Sequence, residues 1–322
     1  MVLMGVCILT LPMGTAVGDE LEIDQEALQA MKKELAPVVR EFILATVDGM
    51  SLLTNSDLLS AAYVKVDDVR YSGFKLPFNW QWQFQENSDY LETSVFFARG
   101  EAHTEEKTFE EDAQTELVTY VSQSVGASLS YYHQLTSDVT IIPSFGVRYQ
   151  KMKNTAELRG DFAKLLAEPL VNGFIFNWSL DTLTLAPRIT LSKKTEFGNG
   201  YSATFSSTYQ YEHLYTRNVT NDAHRIDFDR NFITASASVE TAHTYPLISR
   251  SGSTDLTYSV VNILNSNFTE DENIFIHHLQ VGFNIKTDFD LDSGVLDEVR
   301  LTIGAGSGKG IKSFDVGLSV PF

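Results

Sequence analysis

The last ten residues, Ser313 to Phe322, read S-F-D-V-G-L-S-V-P-F, and they constrain the fold more than any other stretch of the chain. Phe314, Val316, Leu318, Val320 and Phe322 are apolar, while Ser313, Asp315, Gly317, Ser319 and Pro321 between them are small or polar. Successive side chains of a β-strand point to opposite faces, so this segment has one apolar and one polar face. Left open in water, such an edge templates aggregation. In a bilayer it closes a cylinder: the apolar face meets hydrocarbon, the small residues meet the lumen, and no edge remains. The pattern predicts an all-β fold, a transmembrane antiparallel β-barrel whose membrane-closure strand carries those five apolar residues.

Alternation recurs along the chain. Phe78, Trp80, Trp82 and Phe84 interleave with Asn79, Gln81, Gln83 and Gln85, and similar runs follow from Val125, Val139, Leu183, Tyr201, Ile233, Leu279 and Val299. A β-sandwich or a solenoid also alternates, but no fixed repeat period appears, and the runs exceed the usual five or six residues of a soluble strand. The segment 174–192 admits two strands with a turn at Asp181, or one long strand with a bulge where parity flips between Leu180 and Leu183. One strand there keeps the long connections on one side, as outer-membrane barrels require. The expectation is twelve strands, at about 58–72, 76–86, 90–101, 117–133, 138–152, 173–192, 200–215, 229–246, 253–265, 274–287, 298–306 and 312–322. Outside loops then fall at 101–116, 154–172 (partly helical) and 216–229, and periplasmic turns at 87–89, 135–137, 195–199 and 248–252.

Val2 to Leu11 is apolar and is followed by Pro12, Gly14, Ala16 and Gly18 before the first charges, Asp19 and Glu20. This is the pattern of a signal peptide over residues 1–18, although nothing basic precedes its core. It is too short for the ~20 residues of a spanning helix. The only cysteine, Cys7, lies inside it, so a processed chain has no disulfide or thiolate chemistry. A formal charge of -18 argues against nucleic acid as a partner. The acidic run within 101–116 reads as a solvated loop.

Residues 19–54 break the alternation and form an N-terminal helix, with the barrel occupying 55–322. Leu28, Met31, Leu35, Val38 or Val39, Phe42 and Ile43 recur at threes and fours, Asp24 is the expected N-cap and Gly49 the expected stop. Pro37 removes one helical hydrogen bond. Twenty-five helical residues reach about 38 Å, enough to thread the ~30 Å hydrocarbon layer as a plug in the lumen. The alternative is a helix or tail below the barrel. With apolar positions facing lipid, Arg148, Arg188, Lys286 and Arg300 point inward, where Glu34 and Glu41 of the helix are the expected partners.

A helix leading into a twelve-stranded barrel that ends on an alternating strand with Phe322 resembles the translocator domain of autotransporters. In particular, residues 22–322 are similar to solitary outer-membrane autotransporter-like barrels. The resemblance implies residence in the outer membrane, contact with its lipid and lipopolysaccharide, recognition of the terminal strand by the barrel-assembly machinery, and a monomer. It brings no catalytic motif, metal or cofactor. The few residues between the expected cleavage region and the helix leave no room for a passenger domain.

The remaining chemistry is sparse. His277 and His278 are adjacent and so point to opposite faces of a strand. No nucleophile or metalloprotease motif appears. Asp222 and His224, near Asp227 and Asp229, share one loop, which reads as a polar turn before it reads as a rim hydrolase. Asp227, Asp229, Asp288, Asp290 and Asp292 match no EF-hand spacing. The sequence therefore predicts no enzyme, but a helix-plugged structural or interaction barrel, with a passive pore for small solutes as the alternative and a rim-loop hydrolase as the second.

Overall fold

A computed structural model describes residues 25–55, 61–66, 69–84, 89–106, 116–156, 172–245, 250–265, 273–289, 296–308 and 311–319. The expected signal peptide, Asp24, Val320 and Phe322 lie outside them. One helix, α1 (Gln25–Asn55), precedes twelve strands: β1 (Ala61–Val66), β2 (Val69–Gln83), β3 (Tyr90–Glu106), β4 (Glu116–Gln134), β5 (Val139–Ala156), β6 (Ser179–Phe197), β7 (Tyr201–Val219), β8 (Asp227–Tyr245), β9 (Arg250–Leu264), β10 (Asn273–Phe289), β11 (Leu296–Gly308) and β12 (Ile311–Ser319). Each strand pairs antiparallel with the next, and β12 closes on β1, with Phe314 opposite Tyr63.

Several expected boundaries move. The first hairpin turns between Val66 and Val69 rather than after residue 72, and Gly73 lies inside β2 opposite Gly100 of β3. At Gly73 an added Cβ would come within 2.9 Å of the Arg99 carbonyl oxygen, so the glycine serves strand packing and not a turn. The 174–192 segment does contain one strand with an irregularity between Asp181 and Thr182, but the strand starts at Ser179 and the residues before it fold inward. Glu101 to Glu106 and Thr216 to Val219 extend strands instead of lying in loops. Gly49 does not stop the helix, which runs through it to Asn55. The expected loop segments 107–115 and 157–171 lie outside the described residues, as do residues 248 and 249 of the 248–252 turn, whose other three residues begin β9.

The outward positions define the membrane. On β2, Phe74, Leu76, Phe78, Trp80 and Trp82 are all exposed, as is Phe84 just past its end. The ten residue steps from Phe74 to Phe84, at ~3.3 Å each on strands tilted by about 40°, span roughly 25 Å, the height of an outer-membrane apolar band. Aromatic residues gather at the short-turn, periplasmic end, where Phe84 meets Tyr131 edge-on at 6.3 Å. At the other end the outward residues turn polar along one line: Ser72, Arg99, Gln123, Lys151, Asp181 and Asn231 follow Phe74, Phe97, Val125, Tyr149, Leu183 and Ile233. Tyr209 and Tyr211 donate to Asn231 and Asp229 there, both at 2.6 Å, as interfacial tyrosines do. The wall is uneven beyond that line. β3 continues from Arg99 to Glu106, roughly 15–20 Å further, while β11, β12, β1 and β2 stop within about five residues of it.

Candidate functional site

The outer half of the barrel contains a hydrophobic core of the kind found in a soluble domain. Val39, Ile43, Val47 and Met50 recur at threes and fours along one face of α1, and all four are buried. They belong to one cluster with Tyr120, Met152, Phe174, Phe176, Trp178, Leu214 and Ile226, which line the inside of the wall or fold into it. Phe42 meets Tyr120 at 6.3 Å, and Tyr120 in turn meets Trp178 at 6.3 Å. Burying a side chain of this size is worth about 1.5–3 kcal/mol, so four of them contribute roughly 6–12 kcal/mol before the entropy of ordering is subtracted.

The segment from Asn172 to Trp178 turns back into the lumen instead of lining it as a strand. Gly173 (φ 70°) and Asn177 (φ 58°) supply the left-handed conformations that the turn needs. Gly173 N–H donates to the Phe176 carbonyl at 2.7 Å, and the Trp178 indole donates to the Ile175 carbonyl at 3.0 Å. His224, in the short 3-10 turn Asp222–His224, donates from Nε2 to the Phe174 carbonyl at 2.7 Å and packs its ring on Trp178 at 5.7 Å. Burial lowers the pKa of this imidazole, which keeps it neutral, and the hydrogen bond to Phe174 opposes that shift more weakly.

Below this apolar layer the helix is tied to the wall by charge. Asp48 and Glu212 (β7) both accept from Arg230 (β8), and all three side chains are at most 1% exposed. Arg230 Nε reaches Glu212 at 2.7 Å, and its guanidinium lies 4.9 Å from the Phe232 ring. Arg148 (β5) donates from Nη1 to the Ser51 carbonyl at 3.2 Å and from Nη2 to Thr184 at 3.1 Å. The last turn of α1 contains no basic residue of its own. Arg230, which also donates to the Asp48 carbonyl at 3.3 Å, and Arg148 thus bring positive charge to the negative end of the helix dipole and add hydrogen bonds to carbonyls in its last two turns. Lys32 stands 6.0 Å from the Phe174 ring at the outer end, whereas Ser51 is level with the middle of β5. The helix therefore fills the outer half of the lumen and ends near mid-height.

The sequence-predicted residues separate. Glu34 and Glu41 are exposed, and the connection expected of them is made by Asp48. Arg148 meets the helix; Arg188 lines a lumen cavity; Arg300 pairs with Asp255 at 3.1 Å; Lys286 is exposed. Phe314, Val316 and Leu318 face outward and are exposed. Asp222 bonds Arg225 on the surface while His224 turns into the core, so the two do not form a rim pair. His277 faces out to Tyr258 at 2.8 Å, and His278 faces in to Asp315 at 2.6 Å, tying β10 to β12 across β11. Sequence reasoning missed Asp48, Glu212, Arg230 and Trp178. Asp48 left one trace, a carboxylate set within the apolar stripe beside Val47 and Met50.

A family model described as "Solitary outer membrane autotransporter beta-barrel domain" matches residues 54–304. The chain is similar in fold to the translocator domain of the autotransporter NalP from Neisseria meningitidis, with a TM-score of 0.52 at 10% identity over 93% of this chain and 100% of that one. It is similar also to the beta domain of the Bordetella autotransporter BrkA, with a TM-score of 0.51 at 11% identity over 81% and 96%. No curated protein sequence matches it.

Proposed function

Since the chain belongs to the family of solitary outer membrane autotransporter β-barrels, we propose that it is a helix-plugged barrel of the outer membrane, closed to free solute flow and serving a structural or interaction role at the cell surface. The observation that carries this reading is the joint burial of Val39, Ile43, Val47 and Met50 with the Asp48–Arg230–Glu212 ion cluster. An apolar core holds the helix in place, and the buried charges fix its register against the wall. Breaking a buried pair costs about 3–5 kcal/mol, so the register is held strongly once formed. The outer rim, with its raised β3 to β7 wall, is the surface such a barrel presents.

Planar-bilayer recording tests the proposal. The intact chain is expected to give little or no steady conductance, and the chain lacking residues 25–55 to give stable open channels. Equal, large conductance from both would support a passive pore for small solutes instead.

A further inference from the structure

We infer that a blind file of bound water runs beside the helix, from the periplasmic half of the lumen up to Met152, and that the apolar layer at Met152 is the seal of the barrel. The inference rests on the helix-plugged reading and adds to it the level at which the plug is tight. Beneath the end of the helix the inward positions are small: Ser128, Gly146 and Ala186 lie side by side across β4, β5 and β6. They help to line a cavity of about 60 Å³, which at ~10–15 Å³ per molecule holds roughly four to six waters. Ser144 Oγ, on the same wall, has no hydrogen-bond partner among the described residues.

The polar track continues above the cavity. Arg148 lines it, with Glu212 and Asp48 near enough to balance its charge, yet its Nε–H finds no acceptor among the described residues. In the next row outward, Ser124, Gln150 and Thr182 are direct cross-strand neighbours, and all three are buried. Gln150 Nε2 donates to Ser122 at 2.7 Å, but Gln150 Oε1, Ser124 Oγ and Thr182 Oγ1 each have no partner among the described residues. Buried polar groups of this kind are satisfied by bridging water. Neighbouring strands lie about 4.8 Å apart, so one water with bonds of about 2.8 Å reaches both members of a pair.

The track stops at the following row. Met152 stands there between Ser122, whose hydroxyl is spent on Gln150, and Leu180. Met152 and Leu180 are fully buried in one apolar cluster with Tyr120 and Trp178. Beyond them Asn154 again carries an unpartnered Nδ2, and its Oδ1 accepts from the N–H of Asn177, an exposed residue. Gln150 and Asn154 are four residues, roughly 13 Å, apart along β5, too far for one water to bridge. On this wall a single apolar layer therefore separates the periplasmic water from the outer rim.

Two measurements test the file and its seal. In the intact chain in detergent, water-selective NOE spectroscopy is expected to show long-lived water at the Gln150 side-chain amide and the Thr182 methyl, and none at the Met152 methyl. A row without water contacts overturns the file, and this reading needs no variant to fold. In phospholipid vesicles holding a pH-sensitive dye, the wild type is expected to admit protons no faster than protein-free vesicles after an acid jump. Met152→Ser, which opens room for water between Gln150 and Asn154, is expected to raise that rate severalfold. Adding Gln150→Leu and Thr182→Val to Met152→Ser is expected to return it to the wild-type value. A folded Met152→Ser variant that stays tight overturns the seal, and a leak that survives the two added changes overturns the file. A wild-type chain that passes potassium as readily as protons contradicts the plugged reading itself, whereas a dry row under a tight plug contradicts the file alone.

Discussion

Asp48 on the N-terminal helix accepts a hydrogen bond from Arg230 on β8, 182 residues further along the chain and fully buried inside the barrel. The pair joins an element read from helical periodicity to a wall read from alternation, and Glu212 completes it from the neighbouring strand. Arg230→Met leaves two buried carboxylates without their shared cation, which costs about 3–5 kcal/mol. The variant is expected to unfold at clearly lower temperature or urea concentration than the wild type. Replacing Asp48→Asn together with Arg230→Met is expected to recover part of the loss, since the one carboxylate left, Glu212, still has the buried cation of Arg148 nearby.

His224 gives the outer core a pH dependence. Its folded-state pKa lies below the ordinary 6.5, chiefly because of burial, so the unpacked state binds the proton more readily. The stability it contributes is complete above about pH 6.5 and declines as the pH falls below that value toward the folded pKa. Hydrogen-exchange protection factors across residues 172–226, corrected for the intrinsic rate at each pH, are expected to fall between pH 7.5 and pH 5 in the wild type, and His224→Gln to remove most of that difference.

Asp89, immediately before β3, behaves differently. Asp89 accepts from His133 at 2.9 Å, from the Gln134 N–H at 3.0 Å and from the Tyr131 hydroxyl at 2.7 Å. These bonds, that of His133 first, hold its carboxyl down at about 2 from an ordinary 3.8. Its contribution is therefore present above about pH 4 and is lost as the pH falls through about 2. Asp89→Asn is expected to lower Tm at neutral pH and to flatten the acid limb of a Tm-against-pH curve.

Gly304 on β11 sits beneath the His278–Asp315 bridge, and an added Cβ would lie 2.6 Å from both His278 Nε2 and Asp315 Oδ1. Gly304→Val forces that buried bridge apart next to the closing seam. Overpacking of this kind costs about 1–3 kcal/mol, and the expected result is a lower midpoint in urea with an unchanged β-sheet circular-dichroism signal.

Much of this fold was legible because lipid imposes a simple rule on a strand. The outward residues of β2 and β12 are apolar at every second place, and the strand count and closure follow from such runs and from loop length. The rule fails beyond the membrane. Above the apolar band β3 and β7 continue with Glu101, His103, His213 and Arg217 on the outer face, a pattern that reads as loop. Inside the outer half, the run Phe174-Ile175-Phe176 is apolar because it packs on a helix, so it resembles a strand and folds as a turn. The plug itself was legible as an amphipathic helix, but its partners were not. Glu34 and Glu41 are the conspicuous helix carboxylates and face away, while Asp48 is buried only because Arg230 meets it, a relation set by tertiary position alone.

Cysteine accessibility tests the packed helix most directly. With Cys7 replaced by serine, single cysteines are placed at Val38, which is 48% exposed, and at Val47, which is fully buried, and the native protein is treated with a polar maleimide. A helix seated in the lumen predicts rapid labelling of Val38→Cys and protection of Val47→Cys until the barrel is denatured. Equal labelling of the two in the native protein would contradict it.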